Sequence, residues 1–169
     1  MKTFFVMRAF KTFAFLAPIL LFGCKTPPPN YKYTPTGNDA SISFESDFAL
    51  HTKFKVNTSR PEQNLCSDFV TSGYILKKDS VFIYDTPNLA INISAPASAP
   101  IAVSASHEYT DGTFYSSCGP LSLTFTPKKD GLYVVKMNNI KDRCFLSAFE
   151  IDSDKTRKPI QSNPLPKCK

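Results

Sequence analysis

Beyond residue 40, hydrophobic residues recur at every second position over much of the chain. Ala40, Ile42 and Phe44 alternate with serines, and Leu50, Thr52, Phe54 and Val56 alternate with His51, Lys53 and Lys55. Ile101, Val103, Ala105, His107 and Tyr109 share one phase. Leu121, Leu123 and Phe125 share another, as do Tyr133, Val135 and Met137. A period of two marks strands with one wet face. Turn sequences separate the runs: Lys77-Lys78-Asp79-Ser80, Asp111-Gly112 and Lys128-Lys129-Asp130-Gly131. Asp111-Gly112, between Glu108–Thr110 and Thr113–Ser116, is the strongest hairpin signal. Pro96 and Pro100 divide the run Leu89–Ser106 into two strands. Cys144–Ile151 is apolar on both phases and reads as a central strand.

Short strands at this spacing predict an all-β fold, an antiparallel β-sandwich of about seven or eight strands over residues 40–152. An immunoglobulin-like arrangement is one form of it. The chain has no Trp, so the Cys–Trp–Cys hallmark of that family is absent and only the architecture is expected.

The segments on either side have a different composition. Lys25–Asp39 holds Pro27, Pro28, Pro29 and Pro35, which forbid a helix and favour extended chain. Residues 24–39 are therefore expected to be a spacer reaching roughly 45 Å at about 3.1 Å per residue, with Tyr31 and Tyr33 as linker residues. Residues 153–169 contain Pro159, Pro164 and Pro166 and five basic residues against Asp154, and read as a basic tail. The net charge of +6 lies at the ends of the chain, because residues 40–152 carry 10 basic and 12 acidic residues. No basic strand interleaved with aromatics occurs, so nucleic acid is not an expected partner.

The first residues carry the expectation of where the protein resides. Lys2, Arg8 and Lys11 precede an uncharged stretch, Thr12–Gly23, that includes Phe13, Phe15, Leu16, Ile19, Leu20, Leu21 and Phe22. Twelve helical residues span about 18 Å, short of the ~30 Å hydrocarbon core, so residues 1–23 read as a signal peptide. The run ends in Leu21-Phe22-Gly23-Cys24. This resembles the lipobox of bacterial lipoproteins: Leu at −3, a small residue at −1 and Cys at +1, with Phe22 bulkier than the usual residue at −2. The resemblance covers only the first 24 residues. It implies a diacylglyceryl group on the Cys24 thiol, cleavage before Cys24 and a fatty acid on the new amino group. It also implies a lipid-anchored protein, and Lys25 in place of Asp points to the outer membrane. Several acyl chains give lasting attachment where one does not.

With Cys24 lipidated, Cys66, Cys118, Cys144 and Cys168 remain. An even number in an exported domain suggests two disulfides out of three possible pairings. Cys118–Cys144 is favoured because it would staple the loop before Leu121–Phe125 to the last strand. Cys66–Cys168 would then pin the tail. No Cys-x-x-Cys pair is present, so neither a metal nor a redox centre is expected, and no cofactor.

Catalysis has little to build on. His51 sits on the polar phase of its run, as a solvent-facing residue would. His107, near Glu108, Tyr109 and Asp111, is either a base oriented by a carboxylate or a strand-end histidine satisfied by a hairpin partner, the simpler of the two. Ser116-Ser117 is not a Gly-x-Ser-x-Gly elbow. Asn57-Thr58-Ser59 and Asn92-Ile93-Ser94 match the glycosylation pattern by chance. The expectation is a non-enzymatic envelope lipoprotein. Its sandwich would bind an envelope protein or the cell wall, or alternatively act as a small-ligand or inhibitor module with a pocket near Ala95–Pro100 or Asp111–Gly119. A hydrolase ranks last.

Overall fold

The alternating runs form strands whose apolar phase points inward. The computed structural model describes residues 30–48, 51–58, 68–76, 89–110, 112–141 and 143–165. Among these residues the structure is all β. The strands are β1 (Asp39–Ser46), β2 (Thr52–Asn57), β3 (Val70–Ile75), β4 (Ile91–Pro96), β5 (Ile101–Thr110), β6 (Tyr115–Phe125), β7 (Leu132–Ile140), β8 (Arg143–Ile151), β9 (Arg157–Pro159) and β10 (Asn163–Pro164). One sheet has the order β4-β1-β7-β8-β9, and the other β10-β6-β5-β2-β3. All neighbours are antiparallel except β1 and β7, which run parallel. The result is a β-sandwich. Its strand order differs from the ABED and CFG sheets of immunoglobulin constant domains.

Ile42, Phe44, Phe54, Val56, Ile101, Val103, Val135 and Met137 fill the space between the sheets, each at most 1% exposed. Phe44 and Phe54 stack there with ring centroids 4.9 Å apart. Pro96 ends β4, and Ala97–Ala99 bends the chain into the opposite sheet, where β5 begins. The two prolines thus mark a sheet change as well as a strand break. Gly112 lies in the β5–β6 hairpin, closed by the pair Thr110–Tyr115, while Asp111 lies outside the described residues. Lys128–Gly131 forms the turn before β7, with Gly131 N–H donating to the Lys128 carbonyl at 3.1 Å.

Three expectations change. The first concerns β8. It lies between β7 and β9 as an inner strand, but β9 covers only Phe149–Ile151 and Phe145 is 46% exposed, so it is not buried on both faces. Its second apolar phase lies on the outer face of the sheet. There Arg157, on β9, donates to Glu45, on β1, at 2.8 and 2.9 Å across β7 and β8.

The second is the tail. As far as Leu165 it belongs to the sandwich: β9 extends one sheet, β10 extends the other, and Leu165 N–H donates to the Ser122 carbonyl. Proline suits these two strands because an edge strand needs no donor on its open side. Such short edges also discourage pairing with other chains.

The third is the spacer. Residues 30–38 lie against the domain. Tyr31 N–H donates to the Thr71 carbonyl of β3 at 2.7 Å, and the Tyr31 hydroxyl donates to the Ser94 carbonyl of β4 at 2.9 Å. One tyrosine therefore ties together edge strands of both sheets. Burial pushes its phenol up to about 12, which keeps it a neutral donor. Asp39 anchors the next turn, accepting from the Tyr33 hydroxyl at 2.5 Å and from the Thr36 and Gly37 N–H groups at 2.9 and 2.8 Å. These bonds, that from Tyr33 foremost, hold the Asp39 carboxyl below its ordinary 3.8.

A group with a lowered folded value stabilises the turn fully above the unfolded value and loses that contribution as pH falls through the folded one. The Thr36 and Gly37 amide resonances should therefore shift together, with a midpoint below pH 3.8. A midpoint at or above 3.8 would mean that the turn is not held by the carboxylate.

Candidate functional site

The register defines two ends of the sandwich. Asp39, Pro96, Ile101, Phe125, Leu132 and Ile151 mark one end, and residues 30–38 lead into it. Ser46, Thr52, Ile75, Ile91, Thr110, Tyr115, Ile140 and Arg143 mark the other, called here the far end.

Of the expected cysteine sites, Cys118 and Cys144 are joined in a disulfide with a Cα–Cα distance of 6.1 Å. It links β6 of one sheet to β8 of the other near the far end. Cys118 and Leu121 are three residues apart, yet both face inward. A bulge between Ala105 and His107 makes this possible, setting Gly119 and Pro120 opposite Ser106. Gly119 has φ +94, and a Cβ there would lie 2.6 Å from the Ala105 carbonyl oxygen. A glycine is therefore required for Cys118 to reach the space between the sheets. Cys24, Cys66 and Cys168 lie outside the described residues.

His107 is buried, 4% exposed, and stacks on Phe48 with centroids 4.1 Å apart. Across the strands it lies opposite Thr52 and Cys118. The Thr52 hydroxyl in turn bonds that of Ser46 at 2.7 Å. Glu108 points to the outer face and pairs with Ser117, so the neighbouring carboxylate does not meet the imidazole. His107 thus packs at the end of the core, and the geometry does not assemble it with Glu108 and the Ser116-Ser117 pair into a catalytic set.

His51 lies on the outer face of the second sheet, where its ring stacks on Tyr109 at 6.5 Å. It lines a concavity of about 440 Å³ with Lys53, Lys55, Tyr74, Ser106 and Glu108. This site is in neither of the places expected from sequence. Within it β5 contributes Ser106, which lies between Lys53 of β2 and the Gly119-Pro120 bulge of β6. Ser106 is the small residue of the lining, and Lys53, Lys55 and Tyr74 rise from β2 and β3 beside it. Tyr74, Lys53 and Ser106 form one cross-strand row, with the Lys53 ammonium 5.4 Å from the centre of the Tyr74 ring. Neither lysine makes an ion pair among the described residues.

A second surface lies at the far end. Among the described residues the exposed large hydrophobic side chains are Tyr74, Leu89, Phe114, Tyr115, Leu132, Ile140 and Phe145. Of these described residues, only Leu132 sits at the end into which residues 30–38 lead. Phe114 and Tyr115, 70% and 72% exposed, project from the β5–β6 hairpin. Ile140 and Phe145 project from the β7–β8 hairpin. The Cys118–Cys144 bridge ties these two hairpins together. The opposite end is charged, with Lys128 on Glu150 and Lys158 on Asp152. The alternating pattern pointed to neither surface, because both join residues from strands far apart in the chain. The chain matches no protein-family model and no curated protein.

Proposed function

We propose that this protein is a lipid-anchored lipoprotein of the bacterial envelope with no catalytic role. Its sandwich presents the far end to another envelope protein. The observation that carries the reading is the segregation of exposed apolar side chains to the end away from the incoming chain. Exposed aromatic residues of this kind supply much of the binding energy at protein interfaces, and large apolar patches mark interaction sites.

The Leu21–Cys24 resemblance supports the anchor. Asn30 already pairs with Thr71, so only residues 25–29 separate the domain from a lipidated Cys24. Even fully extended, that stretch reaches about 20 Å, less than half the span expected of a free spacer. On this reading the charged end is held towards the membrane and the hairpin tips face away from it.

The test is site-specific photocrosslinking in native cells, with the probe at Tyr115 or Ile140 and a control at Lys129. A discrete adduct of the same mass from the first two positions, absent from Lys129, is the expected result. No adduct at the tips, or the same adduct at Lys129, overturns the far-end assignment. Cys24→Ala should leave the protein unprocessed or off the membrane. A wild-type protein that is soluble and free of lipid by mass spectrometry overturns the anchor.

A further inference from the structure

The concavity on the second sheet has the composition of a binding site, and it lies apart from the hairpin tips. We propose that it takes an acidic saccharide, a sugar unit carrying a carboxylate or phosphate.

The argument starts from charge. Lys53 and Lys55 are two residues apart on β2 and face the same way, with ammonium-bearing stems roughly 7 Å apart at their roots. Like charges so placed repel, and no acid among the described residues neutralises either one. An anionic group between them removes that repulsion and accepts two charge-assisted hydrogen bonds. The Lys53 ammonium is already steered by the Tyr74 ring, which reduces the entropy lost on binding.

The rest of the lining suits a hydroxylated ring. Tyr74 is 49% exposed and offers an aromatic edge beside the cations. Ser106 contributes a hydroxyl to the lining, in the same row as Lys53. Glu108 and His51 stand one step beyond the Thr52–His107 pair, on the side of Ser106 away from Lys55. The site is therefore polarised, with cations at one end and a carboxylate at the other that would accept from sugar hydroxyls. A bare anion would use only the lysine end, and a neutral sugar would leave the lysines unanswered. The volume of about 440 Å³ lies in the range of small-molecule sites and accommodates one or two sugar units.

The experiment is titration of the purified full chain, followed by calorimetry and amide chemical shifts, with three probes. These are a glucuronate-containing disaccharide, the matching neutral disaccharide and inorganic phosphate. The acidic disaccharide should bind at least tenfold more tightly than either of the others and should shift amides of β2, β3 and β5. Lys53→Gln with Lys55→Gln should weaken it by tenfold or more, and Tyr74→Ala by a smaller factor. Lys129→Gln should leave it unchanged. Circular dichroism of each variant checks that the sandwich persists.

Equal binding of the neutral disaccharide overturns the role of the lysines, and equal binding of phosphate overturns the saccharide. Absence of binding by the acidic and phosphate probes alike overturns the site. None of these outcomes touches the anchoring or the hairpin tips, which are read out separately.

Discussion

Cys118→Ala combined with Cys144→Ala is expected to destabilise the protein by about 3.5 kcal/mol. The figure comes from chain entropy: the bridge spans a sequence separation of 26 residues, and its removal lets the unfolded chain explore more states. A sandwich of this size has about 5–15 kcal/mol of stability in total, so the loss is large. It should lower the melting temperature by roughly 10 °C. Reductant supplies an independent arm because it deletes no atoms. Wild type in reductant should melt near the double variant, and the double variant should not respond to reductant. If wild type is insensitive to reductant and melts with the double variant, the bridge does not form in the folded protein. The bridge also spans the two sheets, so its loss should loosen the β5–β6 and β7–β8 hairpins relative to each other and weaken photocrosslinking from Tyr115.

Phe54→Ala is expected to cost about 3–5 kcal/mol, the usual range for emptying a buried aromatic position. Phe54 is 0% exposed and stacks on Phe44 from the opposite sheet, so no solvent-facing rearrangement can fill the gap cheaply. Phe54→Leu keeps most of the volume and should lose far less. Urea unfolding checks both variants, with an unchanged slope showing that the comparison is one of native-state stability. A loss below about 1.5 kcal/mol for Phe54→Ala would place the ring outside the shared core. Phe44→Ala should behave alike, and the double variant should fall short of additivity because the two rings contact each other.

Much of this fold was legible in the residues themselves. The alternation in β1, β2, β5 and β7 assigned the buried faces correctly, since side-chain direction in a strand has a fixed period of two. Pro96 and Pro100 divided β4 from β5, and Asp111-Gly112 marked a hairpin, because those residues restrict or permit particular backbone angles wherever they occur. The same local logic misread the ends. Proline content made residues 30–38 and 153–165 look unstructured. Edge strands and docked segments tolerate proline, however, and only their neighbours reveal whether they are paired. Tyr31 illustrates the point: its partners, Thr71 and Ser94, lie 40 and 63 residues away.

The candidate site divides along the same line. Lys53 and Lys55 were visible as the wet phase of β2, and four cysteines were visible as two potential bridges. By itself, the sequence determined the β class, most inward faces, several turns and the resemblance of its first 24 residues to a lipoprotein signal. Tertiary structure alone decided that Tyr74 stands beside Lys53 in one row with Ser106, and that Cys118 turns inward through the Gly119 bulge to meet Cys144. It alone also gathered the apolar tips at one end. The physical reason is that periodicity and backbone restriction are properties of neighbouring residues. Strand order, register and bulges are set by the joint packing of the two sheets, which no single segment encodes.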